Sequence, residues 1–291
     1  MENSNQRSFI GILIAVLVAI GLAWAGSQHG TRIDSFPLYA LGVALAFTIN
    51  WIAFIPAYLN KTETFYDLTG SITYLTVMIA AVALSPVRDA RSWLLLGMVS
   101  VWALRLGSFL FLRIKSTGED RRFREIKQSF SRFLLAWTLQ ALWVSFSLAA
   151  ALAVVTAEKR VDLDIFAGVG FLVWLFGFGI EVIADRQKSA FNEDPANKGK
   201  FINSGLWSWS RHPNYFGEIV LWVGVMIIAL PVLQGWQWVA LISPIFITLL
   251  LTRISGIPML EQRADEKWGG QDDYEAYKAN TPVLVPRPPK K

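Results

Sequence analysis

Long apolar runs separated by short polar breaks fill most of this chain. Runs close to the roughly 20 residues that a membrane-spanning helix requires occupy residues 10–25, 37–59, 68–84, 93–111, 133–155 and 165–184. A further run, 217–251, exceeds one ordinary span and is broken by Pro231, Gln234 and Gly235, so it predicts a helical hairpin. The pattern predicts an all-α polytopic transmembrane bundle of seven or eight spans, organised as a single domain over residues 1–291. No internal repeat is evident, and the terminal Pro-Arg-Pro-Pro-Lys-Lys reads as a solvated tail.

Composition agrees with lipid as the solvent: 54% of residues are hydrophobic and the mean hydropathy is +0.41. Charged residues, 17% of the total, gather at 115–124, 185–200 and from Glu261 onward, between and after the apolar runs. So placed, the net charge of +5 describes membrane loops, not a basic stripe for nucleic acid. The connection 113–132 carries Arg113, Lys115, Arg121, Arg122, Arg124 and Lys127, and the connection 185–211 carries Arg186, Lys188, Lys198 and Lys200. Both are expected on the cytoplasmic face, together with both termini. With no cysteine and two histidines, His29 and His212, the chain offers no disulfide, thiolate nucleophile or histidine-rich site, and no metal is expected. Arg7, the run 10–23 and Ala23-Trp24-Ala25 imitate a cleavable secretory signal; retention as a first helix is the expectation, with cleavage as the alternative.

An ionisable side chain inside a span costs at least roughly 2.5–3.5 kcal/mol unless it finds a partner or water. Arg105 lies inside 93–111, Glu181 and Asp185 lie four apart on one helical face, Arg253 ends the hairpin, and Tyr66 and Asp67 open the third run. Snorkelling is the competing account of Asp185 and Arg253 at span ends, whereas Arg105 and Glu181 are expected to face the bundle interior. The polar connection after Asp185 adds Asp194, Lys198, Lys200, Asn203, Trp207, Trp209, Arg211, His212, Asn214 and Tyr215. Such a mixture suits a nucleotide: cations for phosphates, carboxylate or amide for ribose, rings for the base. An amphipathic interfacial segment with Trp anchors fits the same residues.

The run Arg211-His212-Pro213-Asn214-Tyr215-Phe216-Gly217-Glu218 resembles the R-H-P-N-Y-x-G-E signature of steroid 5α-reductases and their bacterial relatives, sterol C14 and C24 reductases, and isoprenylcysteine carboxyl methyltransferases. Glu181, Asp185 and Lys188 upstream, and Arg253, Pro258, Glu261, Tyr274, Tyr277 and Pro286 downstream, resemble the steroid reductases further. The resemblance covers about residues 181–286, and more loosely 68–113, where Leu104-Arg105-Leu106-Gly107 is similar to a family arginine segment. It implies an NADPH-dependent oxidoreductase that reduces the 4,5 double bond of 3-oxo-4-ene steroids or a similar hydrophobic enone, in a bacterial inner membrane or an ER-like one. Its cofactor site would lie in the cytoplasmic half of the bundle. By the same resemblance Arg105, Glu181, Asp185, Lys198, Lys200, Arg211, Asn214, Tyr215, Trp222 and Arg253 are the candidate cofactor contacts, and His212 is supporting structure. No G-x-G-x-x-G turn is present, so a Rossmann site is not expected.

Conjugate reduction builds enolate charge on the substrate oxygen, which needs an aimed hydrogen-bond donor. The resemblance leads the family's acidic position to Asp67, beside Tyr66, and its tyrosine position to the neighbourhood of Trp102, which cannot donate in the same way; Asp67, Tyr66 and Tyr74 are the catalytic candidates. The competing reading of these three is as cap and interfacial anchor residues. The alternative enzyme is an S-adenosylmethionine-dependent methyltransferase of the isoprenylcysteine type, in which the phosphate-binding cations would have no task. A transporter or scaffold, with charges lining a pathway, lacks the inverted repeat that would support it.

Overall fold

The computed structural model describes residues 2–117 and 123–289. Arg121 and Arg122 of the first basic connection, and the side chains of Arg113 and Lys115, lie outside the described residues. The described chain is a helical membrane bundle. Helix α1 (Glu2–Gly26) is followed by two short antiparallel strands, β1 (Arg32–Ile33) and β2 (Phe36–Pro37), then α2 (Leu38–Leu59), α3 (Tyr66–Leu84) and α4 (Ala90–Thr117). Next come α5 (Phe130–Ser147), α6 (Ala149–Thr156), α7 (Ile165–Glu193), α8 (Pro213–Ala229), α9 (Ile242–Leu249), α10 (Ile257–Trp268) and α11 (Asp272–Asn280).

Among the described residues six helical segments are long and apolar enough to cross a membrane, and a seventh is counted if the bent pair α5–α6 is one span. The seventeen-residue α8 is apolar but shorter. The run 217–251 does fold as two helical arms: α8 stops at Ala229, a turn follows, and a segment from Gly235 to Trp268 continues as the second arm. Gly235 enters it at φ +50°, a backbone conformation that suits a residue without a Cβ. The chain divides into two compact units, Met1–Ala167 with Ile228–Ser243, and Gly168–Ile227 with Pro244–Lys291.

In the first unit α2 packs on α3 and α5, α3 on α4, and α1 on α5. Lipid leaves no water for stray backbone groups, so each break in a helix needs a partner. The 57° bend between α5 and α6 shows the remedy: the Ser147 carbonyl accepts from Ser243 Oγ at 2.7 Å. A polar layer crosses the apolar core where Gln140 on α5 donates to Asn50 Oδ1 on α2 at 2.9 Å and to the Tyr66 carbonyl at 3.0 Å, while Asn50 donates to Thr73 on α3 at 3.3 Å. At one end Arg91, 1% exposed, spends its guanidinium on the carbonyls of Val161, Asp162 and Ile228 and on the Asp164 carboxylate. The charge is buried at no evident loss because every contact is charge-assisted.

In the second unit α7 and α8 meet backbone to backbone. A Cβ on Gly177 would lie 2.5 Å from the Leu221 nitrogen, one on Gly217 2.6 Å from the Glu181 nitrogen, and one on Gly224 2.5 Å from the Trp174 nitrogen. Three glycines seven residues apart or facing one another leave no room for any side chain at the crossing. Gly224→Leu should therefore destabilise the protein by about 1–3 kcal/mol or more, whereas Gly179→Leu, on the facing helix α7 and with nothing within 4 Å, should melt close to wild type. Melting curves in mild detergent check this, and equal midpoints for the two variants would refute the close crossing.

Candidate functional site

The close crossing fixes what stands at the start of α8. Pro213 opens the helix, where a missing N–H costs nothing and its fixed φ suits the first turn. Asn214 then donates to Asp185 Oδ1 at 3.1 Å, and Asp185 and Glu181, 7% and 3% exposed, lie on the α7 face that carries the crossing. The sequence placed Glu181 and Asp185 on one helical face, and both are buried there together. Trp222, a turn and more further along α8, is 1% exposed, and Tyr215 stacks on His212 with ring centroids 5.7 Å apart.

The segment before α8 folds into a tight cap. Gly205 at φ +59° lets the Leu206 N–H reach Gln187 Oε1 at 2.9 Å, and Trp207 is buried with its indole donating to the Ala184 carbonyl at 3.0 Å. Lys188 Nζ lies over the Trp207 ring, 4.5 Å from its centroid. The C-terminal strand-like stretch straps this cap from outside: Arg211 N–H donates to the Pro282 carbonyl at 2.9 Å, Ser210 Oγ to the Leu284 carbonyl at 2.8 Å, and Arg287 N–H to the Trp209 carbonyl at 2.9 Å. Tyr277 adds a hydroxyl bond to the Trp207 carbonyl at 2.7 Å, and burial pushes its phenol well above the ordinary range. Lys198 and Lys200 lie exposed on the loop that Trp268 pins through the Gly199 carbonyl at 2.6 Å.

Arg211 and His212 share one acid, Glu261 of α10. Arg211 Nη1 lies 3.0 Å from Glu261 Oε2 as an ion pair, without the alignment of a hydrogen bond, and His212 Nε2 lies 2.7 Å from Oε1. Besides Nη1, two buried nitrogens have no hydrogen-bond partner and no ion pair, Arg211 Nε and His212 Nδ1. Arg253 sits in a five-residue π-helical stretch, Leu250–Ile254, where it is exposed and in no ion pair with a described residue. Glu261 belongs to the downstream resemblance, but nothing in its spacing links it to a pair about fifty positions earlier, so its role beside Arg211 and His212 emerges only in the fold.

The catalytic candidates and Arg105 belong to the first unit. Asp67, Ser71 and Tyr74 share the face of α3 that packs on α4, at helical spacing of four and three. A Cβ on Gly107 would meet the Ser71 side chain at 2.5 Å, and the buried Tyr74 ring meets Trp102 edge-on at 5.0 Å. Tyr66 instead donates its hydroxyl to the Ala136 carbonyl at 2.9 Å, which commits its proton to holding α3 against α5. Arg105 is half-buried, with its guanidinium carbon 5.5 Å from the Phe109 ring centroid. Among the described residues no group of three or more His, Asp or Glu could hold a metal ion.

Residues 53–281 match the family described as "Protein of unknown function (DUF1295)". The chain belongs to the DUF1295 family. This family is related to steroid 5α-reductase-like membrane proteins. The match takes in α3, the acid pair, the motif and α10, and begins within α2. A probable O-methyltransferase, ustE, of Ustilaginoidea virens is 36% identical over 50 residues, 17% of this DUF1295 chain and 18% of that protein. The aligned stretch thus spans about a fifth of that relative. No solved structure matches the chain.

Burial holds His212 below its ordinary pKa, against the pull of Glu261 in the other direction, because a second proton on Nδ1 would be enclosed with no acceptor. The folded protein therefore binds fewer protons here than the unfolded chain between the two pKa values. The stabilising contribution is full above about pH 6.5 and is lost as pH falls through the folded value. Melting midpoints across pH 5–7.5 should fall toward acid in the wild type and fall less in His212→Gln, whose amide can still donate to Glu261. Superimposable pH profiles would place the acid sensitivity elsewhere.

Proposed function

We propose that this protein is a membrane reductase of hydrophobic enones, with 3-oxo-4-ene steroids as the model class, drawing on NADPH. The observation that carries the reading is a surplus of cationic donors in the unit that holds the motif. Lys198, Lys200 and Arg253 are exposed and in no ion pair with a described residue, and Arg211 keeps a buried Nε–H without an acceptor. Polyphosphate is the ligand chemistry such donors fit. Arg211, Arg253, Lys198 and Lys200 would hold phosphates, Asp185 with Asn214 and Glu181 would receive ribose hydroxyls, and Tyr215 and Trp222 would offer ring faces. When bound, NADPH supplies the hydride. By the positive-inside reading, these connections and the C-terminus face the cytoplasm.

What the chain must add is a donor for the oxygen that becomes an enolate. The resemblance leads the family's tyrosine position to the neighbourhood of Trp102, and Tyr74 brings a phenol against that indole from the facing helix. Asp67 lies two turns earlier on the same face of α3, roughly 10 Å along the axis, so a protonated Asp67 and Tyr74 are the assigned polarising pair. Tyr66 positions α3 through its bond to Ala136. A second reading, methyl transfer from S-adenosylmethionine, is favoured by the local likeness to a probable O-methyltransferase. That cofactor has no phosphate, which leaves four cations without a role.

NADPH should stabilise purified protein and raise its melting midpoint with the logarithm of ligand excess, the stabilisation being about 2.7 kcal/mol at a hundredfold excess over Kd, and S-adenosylmethionine should not. Stabilisation by S-adenosylmethionine alone would favour the methyltransferase. Arg211→Ala and Arg253→Ala should each raise the apparent Kd for NADPH about tenfold or more, a charge-assisted bond being worth roughly 1.5–3 kcal/mol; unchanged affinity in both would return them to snorkelling and packing.

Turnover separates the polarising pair from the cofactor site. Asp67→Leu and Tyr74→Phe should lose ~100- to 1,000-fold in NADPH oxidation with a 3-oxo-4-ene steroid, with NADPH affinity retained. Wild-type rates in both would mean that the carbonyl is polarised by other groups.

A further inference from the structure

Where α1 ends at Gly26 and α2 begins at Leu38, the first unit carries an open cleft of about 660 Å³ that the reading above does not use. That volume is within the roughly 300–1,000 Å³ of small-molecule sites. Its lining is divided by chemistry. Ile20 and Trp24, from the last turns of α1, are apolar or aromatic, whereas Ser27, His29, Arg32 and Glu158 are polar or charged.

The polar side is built into the fold. Gly26 rests on the ring of Tyr39, Gly30 pairs with Ala157 in an isolated bridge, and the Glu158 N–H donates to the His29 carbonyl at 2.9 Å. His29 itself is held at φ +53°, a conformation that costs a residue with a Cβ, and its Nε2 would lie 3.2 Å from a Cβ on Gly235. Arg32 and Glu158 are exposed and line the same cleft, yet neither is in an ion pair with a described residue. Ser27 Oγ is buried beside them without a hydrogen-bond partner.

The apolar side continues into lipid. Leu13, Leu17, Ile20 and Trp24 are all exposed and recur at spacings of four, three and four, so they form one stripe along the outer face of α1 that ends in the cleft. Trp24 is also paired with Trp236, ring centroids 5.7 Å apart, in the manner of an interfacial aromatic belt. A soluble zwitterion would use the charges and leave this stripe idle; an amphipathic ligand uses both.

We propose that this cleft binds the headgroup of a zwitterionic aminophospholipid drawn from the surrounding leaflet. Arg32 takes the phosphate, Glu158 takes the ammonium with the Trp24 face as a cation–π surface, and an acyl chain follows Leu17 and Leu13. The site is independent of the reductase reading.

Delipidated protein in mild detergent, titrated with phosphatidylethanolamine, phosphatidylglycerol or glycerophosphoethanolamine under native mass spectrometry, tests it. Phosphatidylethanolamine should bind most tightly, and Glu158→Gln should cost it about tenfold while sparing phosphatidylglycerol. Arg32→Gln should weaken both lipids about tenfold. Both side chains are exposed and in no ion pair with a described residue, and Arg32 gives up a single exposed bond to the Ser35 carbonyl at 3.4 Å, so the variants should melt close to the wild type. Equal phosphatidylethanolamine binding by the wild type and Arg32→Gln/Glu158→Gln would overturn the site. Glycerophosphoethanolamine binding as tightly as the intact lipid would overturn the assignment to a membrane lipid.

Discussion

The contact on which the second unit depends is the backbone crossing of α7 and α8 at Gly177, Gly217 and Gly224. In lipid there is little hydrophobic gain from bringing two helices together, so close van der Waals packing has to supply the attraction, and small residues permit it. Because Gly217 abuts the Glu181 backbone, the residues just before it are carried to Asp185 and those just after it are turned inward. The cap over residues 205–212 and its C-terminal strap follow from that placement. They hydrogen-bond to α7 through Gln187 and Ala184, and to the tail through Pro282 and Leu284.

Hydropathy alone made the membrane bundle legible, including the break between α8 and the segment from Gly235, because length and apolarity are what lipid selects. The 57° bend in the fifth run was not legible, since Ser147 resembles any other small residue until Ser243 arrives to take its carbonyl. Helices α3, α4 and α5 start two or three residues earlier than their apolar runs. Tyr66, Asp67 and the residues Ala90 to Ser92 are polar or neutral but continue the backbone hydrogen bonding of α3 and α4.

At the site, the face shared by Glu181 and Asp185 was legible from a four-residue spacing, and so was the motif itself. The pairing of Glu261 with Arg211 and His212 was not, because a carboxylate serving two residues across about fifty positions leaves no local periodicity. The contact of Tyr74 with Trp102 was equally hidden: each residue looks like ordinary span filling on its own helix, and only the α3–α4 packing brings phenol to indole. Long-range pairing is where a single sequence says least.

The motif also explains why one signature can accompany two chemistries. Most of its residues have structural work within this fold: Pro213 opens α8, Asn214 engages Asp185, His212 engages Glu261, and Gly217 admits the α7 backbone. Reductases and methyltransferases could both inherit such a scaffold without inheriting a reaction. What distinguishes the cofactors is charge, and charge resides mainly outside the conserved-looking core of the motif, on Lys198, Lys200 and Arg253, with Arg211 as the link between the two sets. Arg211 has its Nη1 beside Glu261 and its Nε buried without an acceptor, so the same guanidinium that braces the cap retains one direction in which to meet an anion. A fold that needed Arg211 only as a brace would gain from satisfying that nitrogen within the protein, because a buried unpaired donor costs roughly 1–3 kcal/mol. Its orphaned state is the point at which packing and the proposed phosphate chemistry separate.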